Sequence, residues 1–361
     1  MAPPTTTLWT PDPHTKAKHQ MLSGYLAAWF PIVARGFPTK GVTYVDAFAG
    51  PGEYEDGSVG SPIIALKHAV RPEVAGSCVR VRTVFVERDE ARFEHLRKAI
   101  NSRFPPKDRP KNLTIRSVNG ACEDELLPVL TEVGGWGSPM FANFDGWGVD
   151  TPYALVRAVG TRESAEVLVT VNTQWFVRFA TSDTTDAGDL VFGTRDWRPV
   201  AAAGSPQEKK RGLVDLYRER LRAAGFPFTL IFELIDENSH DLLLIFGTKN
   251  LKGVEKMKES MWKVDPSLGQ RFRDPRDVNQ LAMDFGNDPD LVLLKQQICG
   301  FLMHGPQSLT MLKNLVLLDT VFKPTHAVTA VRALDDAGDV SVKWARRHED
   351  TIVELAAPRL F

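Results

Sequence analysis

The chain has 361 residues, 43% hydrophobic and 25% charged, the composition of a globular protein longer than one average domain. Its 44 basic and 45 acidic side chains leave a formal charge of -1, which excludes whole-chain attraction to nucleic acid but not a local basic patch. Three cysteines, Cys78, Cys122 and Cys299, are widely spaced and odd in number. With no C-x-x-C pair they argue against a disulfide framework or metal site and read as buried, reduced thiols of a cytoplasmic protein.

Residues 1–14 are rich in Pro and Thr and lack an apolar core segment, so they read as a disordered lead-in rather than a signal peptide. No apolar run approaches the roughly 18 residues needed to span a membrane. From Thr15 to Arg35, apolar residues at Met21, Leu22, Tyr25, Leu26, Trp29 and Phe30 predict a helix. Val42–Phe48 is β-branched and aromatic and runs into Ala-Gly-Pro-Gly, a buried strand entering a turn. Helices over Ser61–Val70, Asp89–Ser102, Glu123–Val133 and Pro152–Gly160 then alternate with strands at Arg80–Glu87, Leu113–Val118, Pro139–Asp145 and Ala165–Val171. That alternation predicts a parallel sheet covered on both faces. Thr181–Gln207 lacks periodicity and reads as a mobile loop or lid with a short excursion near Trp197. A helix at Glu208–Ala224 precedes strands at Phe228–Leu234 and Asp241–Gly247, whose short connection predicts an antiparallel hairpin. After a helix at Leu251–Val264, residues 267–290 read as a linker. Helices at Leu291–Met303, Leu309–Asp319 and Lys323–Ala337 and a strand pair at Val340–Trp344 and Thr351–Leu355 complete a winged-helix-like domain over 291–361. The larger domain spans 15–266.

The informative string is Tyr44-Val45-Asp46-Ala47-Phe48-Ala49-Gly50-Pro51-Gly52. Ligands of doubly wound sheets bind beyond the carboxyl ends of the strands, where strand order switches. A dinucleotide turn wants G-x-G-x-x-G, but Glu55 stands where the third glycine belongs. Asp46 precedes the glycines, where it would repel a pyrophosphate and suit a ligand bearing an ammonium. The pattern D-x-F-x-G-x-G therefore points to S-adenosylmethionine. Glu87, ending the second strand, can accept both ribose hydroxyls, and Asn119 could meet the adenine edge, although a turn role beside Gly120 fits it equally. Asp46, Phe48, Gly50, Gly52, Ser61, Glu87 and Asn119 are the expected cofactor contacts. No metal is expected.

The fourth strand ends in Ala-Asn-Phe-Asp-Gly-Trp-Gly. Asp145 could orient or deprotonate a nucleophile there and Trp147 could stack on a planar substrate, which makes them the expected catalytic pair. The fifth strand delivers Asn172, Gln174 and Trp175. His240, in the hairpin turn, could serve as a base, though a loop histidine is more often simply exposed. Lys249 could touch an anionic substrate.

These residues resemble the three-Cys-motif partner proteins, a family of predicted class I methyltransferases. The shared blocks are Tyr44–Gly52 followed by Gly57–Leu66, the strand end at Glu87, Phe144–Gly148, Phe246–Lys258 and Met261–Pro266. The resemblance implies a Rossmann-like class I fold, a seven-stranded mostly parallel sheet with a terminal antiparallel hairpin, and a partner protein carrying a three-cysteine motif. Gly146 stands where the family has proline, which loosens the backbone that would place a target amine. The expected function is S-adenosylmethionine-dependent methylation of a macromolecule, with a nucleic acid base as the target. The alternative is a nucleic-acid-binding or partner-dependent module with an inactive fold. Five lysines between Lys249 and Lys263 suggest a large substrate, DNA or RNA.

Overall fold

The structure, a computed structural model, describes residues 6–77, 79–182, 186–238, 240–273 and 289–356. Cys78, Ser239 and most of the expected linker lie outside the described residues. The chain forms two compact units, one from residues 1–256 with 271–281 and the other from 257–270 with 282–361.

In the first unit, helix α1 (Pro13–Gly36) precedes strand β1 (Val42–Asp46), and α2 (Ser61–Ala69) and the one-turn α3 (Pro72–Ala75) lead to β2 (Val81–Glu87). Then come α4 (Glu90–Arg103), β3 (Leu113–Asn119), α5 (Cys122–Glu132), β4 (Met140–Phe144), α6 (Tyr153–Gly160) and β5 (Ala165–Val171). Helices α7 (Thr173–Phe179), α8 (Ala187–Phe192), α9 (Trp197–Ala202) and α10 (Pro206–Ala223) carry the chain to β6 (Phe228–Ile235) and β7 (Asp241–Thr248). Helix α11 (Leu251–Val264) and β8 (Arg271–Arg273) follow.

The strands form one sheet in the order β3-β2-β1-β4-β5-β7-β6-β8. All run parallel except β7, which is antiparallel to both β5 and β6. This is a doubly wound α/β sheet with the expected hairpin. Strand order switches between β1 and β4, so Asp46 pairs with Phe85 on one side and Asn143 on the other. Strands β1, β2, β4 and β5 are buried along their whole length, as strands covered by helices on both faces must be. One polar anchor sits among them: Glu166 accepts hydrogen bonds from Tyr25 Oη and Thr248 Oγ1, both at 2.6 Å, and so ties α1 to β5 and β7.

Three expectations are corrected. The sheet has eight strands, because Arg271–Arg273, inside the expected linker, pairs with β6; three residues are too few for periodicity to register. The expected lid at 181–207 carries α8 and α9, with Phe192 and Trp197 fully buried. Gly188 is what lets them close, since a Cβ there would lie 2.2 Å from the Trp197 ring. Within the expected lead-in, Trp9 packs edge-on against Tyr54, ring centres 5.4 Å apart.

The second unit holds α12 (Val292–Leu302), β9 (Gln307–Ser308), α13 (Leu309–Asp319), α14 (Pro324–Ala337), β10 (Val340–Lys343) and β11 (Ile352–Leu355). Its strands form an antiparallel sheet in the order β10-β11-β9 around a core of Leu294, Ile298, Leu312, Val316, Val331 and Val353. The end of α11 belongs to this unit. Buried Lys258 donates to the carbonyls of Val316, Leu317, Thr320 and Phe322, capping the C-terminus of α13. Among the described residues no helix is long and apolar enough to cross a membrane.

Candidate functional site

Strand β1 delivers Asp46 to the switch point with no exposed surface. Its Oδ2 accepts from Tyr44 Oη at 3.3 Å, and the Ser61 hydroxyl, in the first turn of α2, also bonds the carboxylate. Oδ1 has no hydrogen-bond partner among the described residues. Burial pushes the Asp46 carboxyl up to about 7; the Asp145 charge adds to this, while Ser61, the Phe48 backbone and Tyr44 oppose it. A carboxylate so placed gains from any cation brought to its unpartnered oxygen.

The two glycines of the turn differ in what they do. Gly50 has φ +62°, and a Cβ there would meet nothing within 4 Å, so the space beside its backbone is open to a ligand. Gly52 has φ +79°, a backbone conformation that disfavours any side chain, and a Cβ there would lie 2.8 Å from Leu96 Cδ1 of α4, which would have to shift. The Gly50 N–H donates to Glu87 Oε2 at 2.8 Å, while Glu87 Oε1 accepts from the Asp89 N–H at 2.8 Å. Glu87 thus braces the two loops, and each oxygen keeps one lone pair for a further donor. Asp89 caps α4, accepting from the Arg92 N–H. Exposed Asn119 gives its amide to the carbonyls of Glu87 and Arg88, so its N–H groups hold the ends of β2 and β3 together.

Across the switch point, Asp145 Oδ1 accepts from Lys18 Nζ at 2.8 Å and Thr170 Oγ1 at 2.5 Å. Burial alone would raise this carboxyl; Lys18, Thr170 and His19 outweigh it and leave it below its ordinary value. Asp145 is therefore an anion that orients, and a poor proton acceptor. His19 is driven down to about 4 by burial and by Lys18, so it is neutral at pH 7. Lys18, His19 and Thr170 were not anticipated. Lys18 carried a signal all the same: with Met21, Leu22 and Tyr25 three, four and seven residues on, it is a charge on the apolar stripe of its helix.

Half-buried Trp147 donates its backbone N–H to Asp150 Oδ2 at 3.0 Å and is not among the residues lining the two cavities described below. Gly146 has a packing reason: its Cβ would stand 3.2 Å from the Phe48 ring.

Two cavities open on this unit. One, about 530 Å³, lies between α1 and α2 and is basic, with Lys16, Lys67, Arg71 and His68 on its walls. The other, about 240 Å³, is lined by residues following β5 and by the β6–β7 turn, Trp175, Asp236 and His240 among them. Because β7 runs antiparallel, that turn falls on the same sheet edge as Asp46 and Asp145. Lys249 faces elsewhere, donating to the Gly160 carbonyl at 2.7 Å. Among the described residues no three His, Cys, Asp or Glu side chains converge as metal ligands. Cys122 is buried and its thiol raised by burial and by Glu123, whereas Cys299 is only half-buried.

No family model and no curated protein matches the sequence. Among solved structures, the chain is similar to Trm1 from Pyrococcus horikoshii in complex with S-adenosyl-L-methionine, at 13% identity and TM-score 0.38, covering 99% of this chain and 94% of that one. It is similar to a putative O-methyltransferase from Klebsiella pneumoniae at 13% identity and TM-score 0.31, covering 67% and 92%. It also matches EvdMO1 at 12% identity and TM-score 0.30, covering 64% of this chain but spanning only 42% of that protein's length.

Proposed function

We propose that this chain binds S-adenosylmethionine at the carboxyl edge of β1, β2 and β4 and transfers its methyl group to a nucleic acid base. The observation that carries the cofactor is Asp46, a buried carboxylate with an unpartnered oxygen beneath an open glycine turn. The methionine ammonium supplies the cation that this oxygen lacks, and a dinucleotide pyrophosphate would meet repulsion. Gly50 lets the ligand approach the backbone, the remaining lone pairs of Glu87 receive the ribose hydroxyls, and Phe48 and Ser61 line the turn. When bound, the cofactor supplies an electrophilic methyl group; Asp145, fixed by Lys18 and Thr170, orients the acceptor toward it, chiefly by positioning.

The nucleic acid target is supported by the second unit. Its helix-strand-helix-helix-hairpin order is that of a winged helix, and Lys343 and Arg346 are exposed at its hairpin. The lysine run in α11 offers less support than its sequence suggests, because Lys258 is internal.

A partner-dependent module has one observation behind it. Val292, Leu293, Met303, Met311, Leu318, Trp344 and Leu355, all in the second unit, are exposed. A protein partner such as a three-Cys-motif protein would cover such residues. Calorimetric titration with S-adenosylhomocysteine tests the cofactor: saturable binding lost in Asp46→Asn supports the proposal, and no binding by the folded chain overturns it.

A further inference from the structure

We infer that the 240 Å³ cavity between the start of α7 and the β6–β7 turn is the acceptor pocket, built to hold one unstacked nucleobase. The inference rests on the methyl-transfer function proposed above.

Position comes first. Two tethers link the wall of the cavity to the reaction edge. Thr170, bonded to Asp145, lies two residues before Asn172, which lines the cavity. His14, also on its wall, lies one helical turn before Lys18, the ion-pair partner of Asp145.

Its walls fit a flat, polar-edged ring. Trp175 and Phe179 have ring centres 4.7 Å apart and keep part of their surface exposed, a platform on which a base can stack. The same cavity is lined by hydrogen-bonding groups that the protein leaves with capacity. Asp241 is 7% exposed and its Oδ1 has no partner among the described residues, although Lys210 bonds the other oxygen. A buried carboxylate oxygen without a donor is uncommon, and the exocyclic amine of adenine, guanine or cytosine would supply one. His240 presents Nδ1 to Asp236 Oδ2 at 3.2 Å. Asp236 is itself fixed by the backbone N–H groups of Asn238 and His240, both at 2.8 Å on Oδ1. In the neutral imidazole with its proton on Nδ1, toward that carboxylate, Nε2 carries a lone pair that can accept from a base edge. Two acceptors and a stacking platform therefore select a planar ring carrying N–H groups.

The test uses the full chain and four free nucleosides, adenosine, guanosine, cytidine and uridine, titrated with and without saturating S-adenosylhomocysteine. Trp175→Leu removes the platform and His240→Gln the acceptor; because Trp175 also touches the core, His240, on an exposed turn, keeps the test valid if the tryptophan variant misfolds. At least one amine-bearing nucleoside should bind saturably, about tenfold more weakly in Trp175→Leu and several-fold more weakly in His240→Gln. Failure of all four nucleosides to bind, in either condition, overturns the pocket. So does binding that neither variant weakens, or occupation of the cavity by N-acetyl-lysine amide in their place. If the nucleosides bind as expected but S-adenosylhomocysteine does not, the pocket stands and the cofactor proposal falls.

Discussion

Two glycines two residues apart do separate jobs, and single substitutions distinguish them. Gly50→Ala meets no atom, so only its left-handed backbone opposes it, at about 1 kcal/mol; yet the new methyl occupies the space open to the cofactor. Gly52→Ala drives a Cβ into Leu96 and carries the same backbone penalty, so it costs about 2–3 kcal/mol in denaturant unfolding. The first variant should fold nearly normally and lose S-adenosylhomocysteine binding; the second should lose stability. The reverse pattern would show that the ligand lies elsewhere. The sequence announced the acid, the aromatic residue and both glycines of this turn, because residue type and spacing carry that information. It did not distinguish the glycines, since what each faces depends on α4, distant in the chain. Asn119 and Glu87 illustrate the same limit: their positions at the strand ends were legible, whereas their bonds to Arg88, Asp89 and Gly50 arise only once the strands are in register.

At the scale of elements, α1 is the surprise. It was legible as an amphipathic helix, but not as a contributor to the site. Through Lys18 it brings a cation to the end of β4, with side chains only 14% and 17% exposed. Removing one member of such a pair leaves the other uncompensated, so Lys18→Met should lower stability by about 2 kcal/mol, and Asp145→Asn in the same chain should restore part of it. Equilibrium denaturation of the two variants checks this; a neutral Lys18→Met would mean the ion pair contributes nothing. The short elements escaped the sequence for a common reason. Helices α8 and α9 are six residues each and β8 is three, shorter than the roughly 11 residues over which a helical pattern, or the roughly four over which a strand pattern, becomes recognisable, and they form because Phe192, Trp197 and the β6 edge offer tertiary partners.

For the whole molecule, the alternation of strand and helix was legible because a parallel sheet imposes it on the chain, whereas the order of the strands was not. The division into units was less legible: the boundary falls inside α11, whose periodicity runs on unbroken while its burial partners change from β5 to α13. If the second unit grips nucleic acid, reversing charge at its hairpin, Lys343→Glu with Arg346→Glu, should weaken binding of a single-stranded oligonucleotide and shallow its salt dependence by about one to two units of log slope. Cofactor affinity should not change. Unaltered oligonucleotide binding would move the contact to the basic groove of α1 and α2 or favour the partner-dependent module.

Calorimetric titration of the full chain with S-adenosylhomocysteine at pH 6 and pH 8, beside Asp46→Asn, tests the central claim most directly. The Asp46 carboxyl, raised to about 7 in the free protein, is partly protonated at pH 6, and the ligand's ammonium favours the carboxylate, so binding must release a proton there. Affinity should therefore rise up to about tenfold between pH 6 and 8, with a proton released at the lower pH, and both effects should vanish in Asp46→Asn. Binding of equal strength at both pH values, indifferent to Asp46, would contradict the account.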